Sequence, residues 1–249
     1  MRYYEGHETV YQRLRHSGCQ AWDEYLGQAA DFESFCMKQF VEGAVARSTF
    51  SGSRPLALEV GCGTGPICCF LAENGFEAEG IDISPTAIAI AQEQAKERRL
   101  SIKYRVADVC HDELAKQRYD LIVDGHCLHC LVTEADRCNA LRNIRAAIQP
   151  DGHFWLDTMI ADSGTNFGKD TLLDDDGILW VKISESGRFD LEKEVNGVTY
   201  VANRRVYHDS GCLESELRKA GFVITWSNSV MPEMEGPNAT YQAICKVVD

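Results

Sequence analysis

The stretch Leu56-Ala57-Leu58-Glu59-Val60-Gly61-Cys62-Gly63-Thr64-Gly65-Pro66 reads as a buried strand, a glycine-rich turn and the start of a helix. Apolar residues surround one acid, Glu59, and glycine recurs at every second position from 61 to 65. Glycine tolerates positive φ and lets a backbone or ligand come close. Pro66 suits the first helical position, where its missing N–H costs nothing. A ligand can lie across such a turn against the N–H groups of a helix N-terminus.

A glycine-rich turn also fits a plain strand-to-helix connection. The next strand separates the two readings. Phe76-Glu77-Ala78-Glu79-Gly80-Ile81-Asp82-Ile83-Ser84 places an acid, Asp82, 21 residues (82 − 61) after Gly61. In dinucleotide folds an acid at about 20 residues holds ribose hydroxyls. This half of the chain is therefore expected to grip an adenosine-like ligand by its sugar.

The dinucleotide fingerprint is G-x-G-x-x-G or A. Here the spacing is Gly61-x-Gly63-x-Gly65, and Pro66 stands where the third glycine belongs. Glu59 to Gly65 instead resembles the first motif of the class I S-adenosylmethionine-dependent methyltransferases. Asp82-Ile83-Ser84 resembles their second motif. Ala107-Asp108-Val109 resembles the third, whose acid usually holds the adenine amino group. Tyr119 to Val123, followed by Leu128-His129-Cys130-Leu131, is similar to their fourth strand and its "LHHL"-like sequel, with Cys for one His. Ile148-Gln149-Pro150-Asp151-Gly152-His153-Phe154 resembles the turn before their fifth strand. The resemblance covers roughly residues 55 to 158, in the expected order. It implies S-adenosyl-L-methionine as cofactor. The expected binding set is Glu59, Gly61, Cys62, Gly63, Gly65, Asp82, Ile83, Asp108, Val109 and Gly125, with Trp22 from an N-terminal cap. Glu59 serves the amino-acid end through the turn, Asp82 the ribose and Asp108 the adenine.

The 249 residues fit one elaborated domain, and 45% hydrophobic residues can build a core. The formal net charge of −13 disfavours nucleic acid or an anionic membrane as partner. No transmembrane run or secretory signal is evident. Eleven cysteines, several inside apolar elements, fit a reducing cytoplasm.

Strand and helix signals alternate regularly from residue 55. Strands are expected at 55–60, 77–82, 101–107 and 119–124. Helices are expected at 66–74, from Ser84-Pro85 to about Arg99, near 112–116, and at 133–148. The expected fold is α/β, a doubly wound, mostly parallel seven-stranded sheet with an antiparallel C-terminal edge strand. The single methyltransferase domain divides into a helical cap (1–50, with helices at 8–15 and 31–47), a cofactor-binding core (55–158), an insertion or lid (159–207) and a C-terminal helix with edge strands (208–249). The insertion should hold antiparallel strands, with Asn196-Gly197 as a hairpin turn. Asp174-Asp175-Asp176 is read as a solvated turn in preference to a metal site. The cap residues singled out are Trp22 and Tyr25.

Ligands of open α/β sheets bind beyond the C-terminal strand ends. Glu59, Asp82, Asp108 and Asp124-Gly125-His126 should therefore converge on one rim, which suits a cationic sulfonium. His126 and His129 are the candidate catalytic residues, since a neutral imidazole can take a proton from an acceptor hydroxyl, amine or thiol. His129 also admits a structural role. The His126 to Cys130 segment also admits metal ligation, and Cys127 with Cys130 a redox pair; no metal is assigned. The expected activity is methyl transfer to a small molecule through an O, N or S nucleophile. The alternatives are a nicotinamide-dependent oxidoreductase on a similar sheet and a non-catalytic S-adenosylmethionine-binding subunit. The acceptor and the oligomeric state are not legible in the sequence.

Overall fold

The computed structural model describes residues 1–25, 32–160, 167–207, 209–231 and 239–247, without the side chains of Asp23 and Tyr25. Tyr25's expected contribution to the cap therefore lies outside the described residues, as do 161–166 at the start of the insertion. The helices are α1 (His7–Ser17), α2 (Trp22–Tyr25), α3 (Lys38–Arg47), α4 (Pro66–Glu73), α5 (Pro85–Glu97), α6 (Glu134–Ala147) and α7 (Ser210–Lys219). The main-sheet strands are β1 (Leu56–Val60), β2 (Glu77–Asp82), β3 (Lys103–Val106), β4 (Tyr119–Gly125) and β5 (Ile148–Ile160). The insertion supplies β6 (Thr171–Leu173), β7 (Ile178–Lys182), β8 (Glu192–Val195) and β9 (Val198–Arg205), and the chain closes with β10 (Phe222–Val230) and β11 (Ala239–Val247).

The seven-stranded sheet has the order β10-β11-β5-β4-β1-β2-β3. The pairings β4–β1, β1–β2, β2–β3 and β4–β5 are parallel. The C-terminal hairpin supplies the antiparallel edge, with β11 antiparallel to both β5 and β10. The sheet is mostly parallel and doubly wound, as the alternation of elements predicts.

Side chains alternate across a strand, so each central strand feeds two cores. Leu58, Val60, Ile122, Phe154 and Leu156 pack with Leu141 and Ile144 of α6 and Leu213 and Leu217 of α7. Ala57, Leu121, Val123 and Trp155 pack with Phe40 and Val41 of α3 and Ile67 and Leu71 of α4. Leu58, Leu121 and Ile122 are wholly buried. Such burial stabilises by roughly 1.5–3 kcal/mol per side chain. Both faces of β1 and β4 are thus covered, which explains their nearly unbroken apolar runs.

Local signals set most helix ends. Ser84 Oγ accepts from Ala87 N at 3.0 Å, ahead of Pro85 at the first position of α5. Thr133 Oγ1 accepts from Asp136 N at 3.1 Å at the start of α6. Two expected helices differ. Residues 112–116 form no helix, because Asp108 organises the segment as a turn: its Oδ1 accepts from Cys110 N and its carbonyl from Asp112 N. The helix expected at 31–47 spans 38–47. Asp31 lies outside the described residues, and 32–37 are bends and turns that bury Phe32, Phe35 and Met37. Tertiary burial of these three overrides helical propensity.

The insertion forms its own four-stranded sheet, in the order β6-β7-β9-β8. Asn196 and Gly197, at φ 53° and 76°, turn β8 into β9. Both central residues at positive φ is the geometry Asn-Gly favours. Asp174 Oδ1 accepts from Ile178 N at 2.8 Å, spending this acid on the β6–β7 turn. Among the described residues no helix is long and apolar enough to cross a membrane. All eleven cysteines are free thiols.

Candidate functional site

Gly61, Gly63 and Gly65 all hold positive φ, at 64°, 53° and 86°. A Cβ on Gly61 would stand 2.6 Å from Cys127 Cβ, and one on Gly63 2.6 Å from the Tyr11 hydroxyl. Neither position has room for a side chain. Gly65 offers no side-chain cap to α4, and Glu59 takes that place: its Oε2 accepts from Cys68 N at 3.0 Å. Burial pushes the Glu59 carboxyl up to about 8, against the lowering by Cys68. Asp82 ties the turn to α5, accepting from Gly63 N at 2.9 Å through Oδ2 and from Ser84 N at 2.8 Å through Oδ1. Burial raises its pKa as well.

Asp108 stands after β3 and is held from the N-terminal segment. Its Oδ2 accepts from the Tyr4 hydroxyl at 2.9 Å and lies 3.1 Å from His111 Nδ1, with Arg2 Nε at 3.7 Å. Ligand atoms of Asp108, Cys110 and His111 lie within 4.8 Å of one another. Its position on the rim is as expected, but much of its acceptor capacity is already used by these donors.

The segment after β4 is a tight turn. Asp124 Oδ1 accepts from Cys127 N at 2.9 Å and Leu128 N at 3.2 Å, and burial raises this carboxyl to about 7. His126 holds φ 69°, a conformation unusual outside glycine. Its Nε2 meets Asp157 Oδ1 at 3.0 Å, and Gln242 Nε2 donates to Asp157 Oδ2 at 2.8 Å. His129 is 4% exposed. Its Nδ1 lies 3.3 Å from Thr158 Oγ1 and 3.5 Å from Met159 N, and burial lowers its pKa. The two imidazoles are 5.4 Å apart, edge to face.

Cys130 lies beside two imidazoles. Burial pushes its thiol up, but His129 and His7, by charge and hydrogen bonding, hold it well below the usual thiol range. Burial lowers His7, and Cys130 and the Tyr4 carbonyl more than restore it, leaving it raised. Tyr4 O orients the His7 ring, 2.8 Å from Nδ1. Cys130 Sγ also lies 3.6 Å from His126 O.

These groups surround one cavity of about 410 Å³. Glu59, Gly61, Cys62 and Gly63 line it from the turn, Asp82 and Ile83 from β2, and Asp108 and Val109 from beyond β3. Gly125, His126 and His129 line it after β4, and Trp22 closes it from α2, 5.2 Å from the Tyr11 ring. Gly65 is the exception: it packs beneath Tyr104 and Ala91, away from the cavity. The sequence reading missed His7, Arg204, Met159 and Thr240 on the wall, and Asp157 behind His126. Asp157 had a signal, since it stands on β5 level with Gly125 near the rim of β4. His7 and Arg204 had none, coming from the cap and the insertion.

Residues 57–152 match the family described as "Methyltransferase domain". A ubiquinone biosynthesis O-methyltransferase of Coxiella burnetii is 31% identical over 102 residues, which cover 41% of this chain and 42% of that one. The chain thus spans well under half of that relative's length. Among solved structures, an S-adenosylmethionine-dependent methyltransferase from Clostridium acetobutylicum shares the fold at TM-score 0.66 and 15% identity, over 96% of this chain and 100% of that one. The 1,6-didemethyltoxoflavin-N1-methyltransferase of Burkholderia thailandensis, solved with 1,6-didemethyltoxoflavin and S-adenosylhomocysteine, does so at TM-score 0.65 and 16% identity, over 97% and 87%.

Proposed function

We propose that this chain, whose residues 57–152 match the methyltransferase-domain family, transfers the sulfonium methyl group of S-adenosyl-L-methionine to a small-molecule acceptor. The observation that carries this is the single cavity joining the glycine turn, Asp82 and Asp108 to His126 and His129. One end suits a nucleoside with a cationic amino-acid tail; the other offers imidazoles to a nucleophile.

The cofactor supplies the reactive methyl carbon. The protein's part is alignment and electrostatics. The glycine turn, Asp82 and Asp108 would hold the cofactor. His126, oriented by Asp157, would take the acceptor's proton, and Asp157 would stabilise the imidazolium. His129, kept neutral by burial, shapes the wall beside it. Alignment of donor and acceptor contributes independently of any base.

The acidic surface supports a small-molecule acceptor over nucleic acid, and eleven free thiols support a reducing, cytoplasmic setting. Titration calorimetry with S-adenosylhomocysteine, run beside NADH and NADPH, tests the reading. Binding of the first alone is expected. Binding of a nicotinamide cofactor instead would overturn it. Cofactor binding without turnover of any acceptor would leave a non-catalytic binding subunit.

A further inference from the structure

Resting on that reading, we infer that Arg204 receives a carboxylate of the methyl acceptor, so that the substrates are small acids carrying a hydroxyl, amine or thiol. Arg204 is on β9 of the inserted sheet and lines the cavity. Among the described residues it is the cavity's one guanidinium, and no lysine lines it. Its other ionised or ionisable lining groups are acids, imidazoles, thiols and phenols.

A guanidinium stays charged at any physiological pH and presents planar paired donors. The fully buried Arg137, by contrast, holds Glu216 with two bonds of 2.7 and 2.6 Å. Arg204 has no ion pair with any described residue. Its contact is Nη1 to Met159 Sδ, at 3.4 Å. A thioether is a weak acceptor. A half-buried cation so placed leaves donors for a ligand.

The location assigns the ligand to the acceptor and not to the cofactor. Arg204 touches Met159, whose amide reaches His129 Nδ1, and the His129 ring lies 5.4 Å from that of His126. The chain of contacts runs from the guanidinium to the proposed base. The cofactor's acids, Glu59 and Asp82, lie toward the glycine turn. The flat fork matches a carboxylate in bidentate fashion.

The test is calorimetry on the full chain saturated with S-adenosylhomocysteine. The probes are salicylate, anthranilate and 3,4-dihydroxybenzoate, each beside its carboxamide. At least one acid is expected to bind about tenfold tighter than its amide, the size of a charge-assisted pair. Arg204→Gln should erase that preference and leave S-adenosylhomocysteine affinity unchanged, and Arg204→Lys should restore part of it. If no acid exceeds its amide, or the preference survives Arg204→Gln, the inference falls while the methyltransferase reading stands. Failure of S-adenosylhomocysteine to bind would remove that reading and the inference together.

Discussion

His126 Nε2 lies 3.0 Å from Asp157 Oδ1, and the same two residues are joined through the backbone, His126 N donating to Asp157 O at 2.9 Å. The double link fixes an imidazole at φ 69° on the cavity wall. A positive-φ residue costs of order 1–3 kcal/mol and persists only when its surroundings impose it. Here β4 and β5, paired in parallel up to Gly125 and Asp157, do so.

His126→Ala should therefore slow methyl transfer by of order 10²-fold or more, the usual contribution of a positioned base. Asp157→Asn should cost part of that, because it weakens the contact that orients the ring. S-adenosylhomocysteine affinity should be nearly unchanged in both. Unaltered turnover in His126→Ala would remove the base role.

Asp82→Ala should weaken cofactor binding by about 1–3 kcal/mol, as for a lost charged hydrogen bond. Because Asp82 also accepts from Gly63 N and Ser84 N, the glycine turn should loosen with it. Hydrogen exchange across 61–66 would report the second effect, and calorimetry the first. Full affinity in the variant would take Asp82 out of the site.

Glu59 makes stability fall as pH rises. Its folded pKa of about 8 exceeds its ordinary value of 4.5, so the folded chain holds this proton more tightly than the unfolded one. The stabilisation is fully present below about 4.5 and is lost as pH climbs through about 8. Asp124 adds in the same direction between its ordinary 3.8 and about 7. Glu59→Gln keeps an oxygen for Cys68 N and cannot ionise. Its thermal midpoint should decline less than the wild-type's across this range, measured by calorimetry at a series of pH values; parallel declines would refute the assignment.

Cys130 should react as a thiolate at mildly acid pH. At about pH 6, iodoacetamide should alkylate it faster than the exposed Cys138 and Cys212, because only the thiolate attacks and the raised His7 beside it holds the proton. His7→Gln should slow the reaction markedly. Peptide mapping of the labelled sites would check this, and equal labelling of the three thiols would refute it.

The sequence was most informative where function is written into backbone. Gly61-x-Gly63-x-Gly65-Pro66 could be read because close approach and positive φ exclude other residues. Ser84-Pro85 and Thr133 announced their helices through caps that act over three residues. The wrong helix at 112–116 shows the limit. Asp108 was read as a ligand residue, yet its carboxylate and carbonyl also reel in the next four residues. Tyr3 shows another: its hydroxyl bonds Asp136 and Val132 N, 133 and 129 residues away, and nothing local signals either.

By itself, then, the sequence determined the sheet, the order of its central elements and the rim on which acids gather, because these follow from periodicity, caps and turns of short range. Tertiary structure decided which further groups gather at the cavity. His7 comes from the cap, Arg204 from an inserted sheet and Asp157 from beneath His126, and they meet only because packing closes three distant segments over one cavity. It also decided their charge states. Glu59 and Asp124 read as ordinary carboxylates until burial, a property of the whole fold, favours their protons.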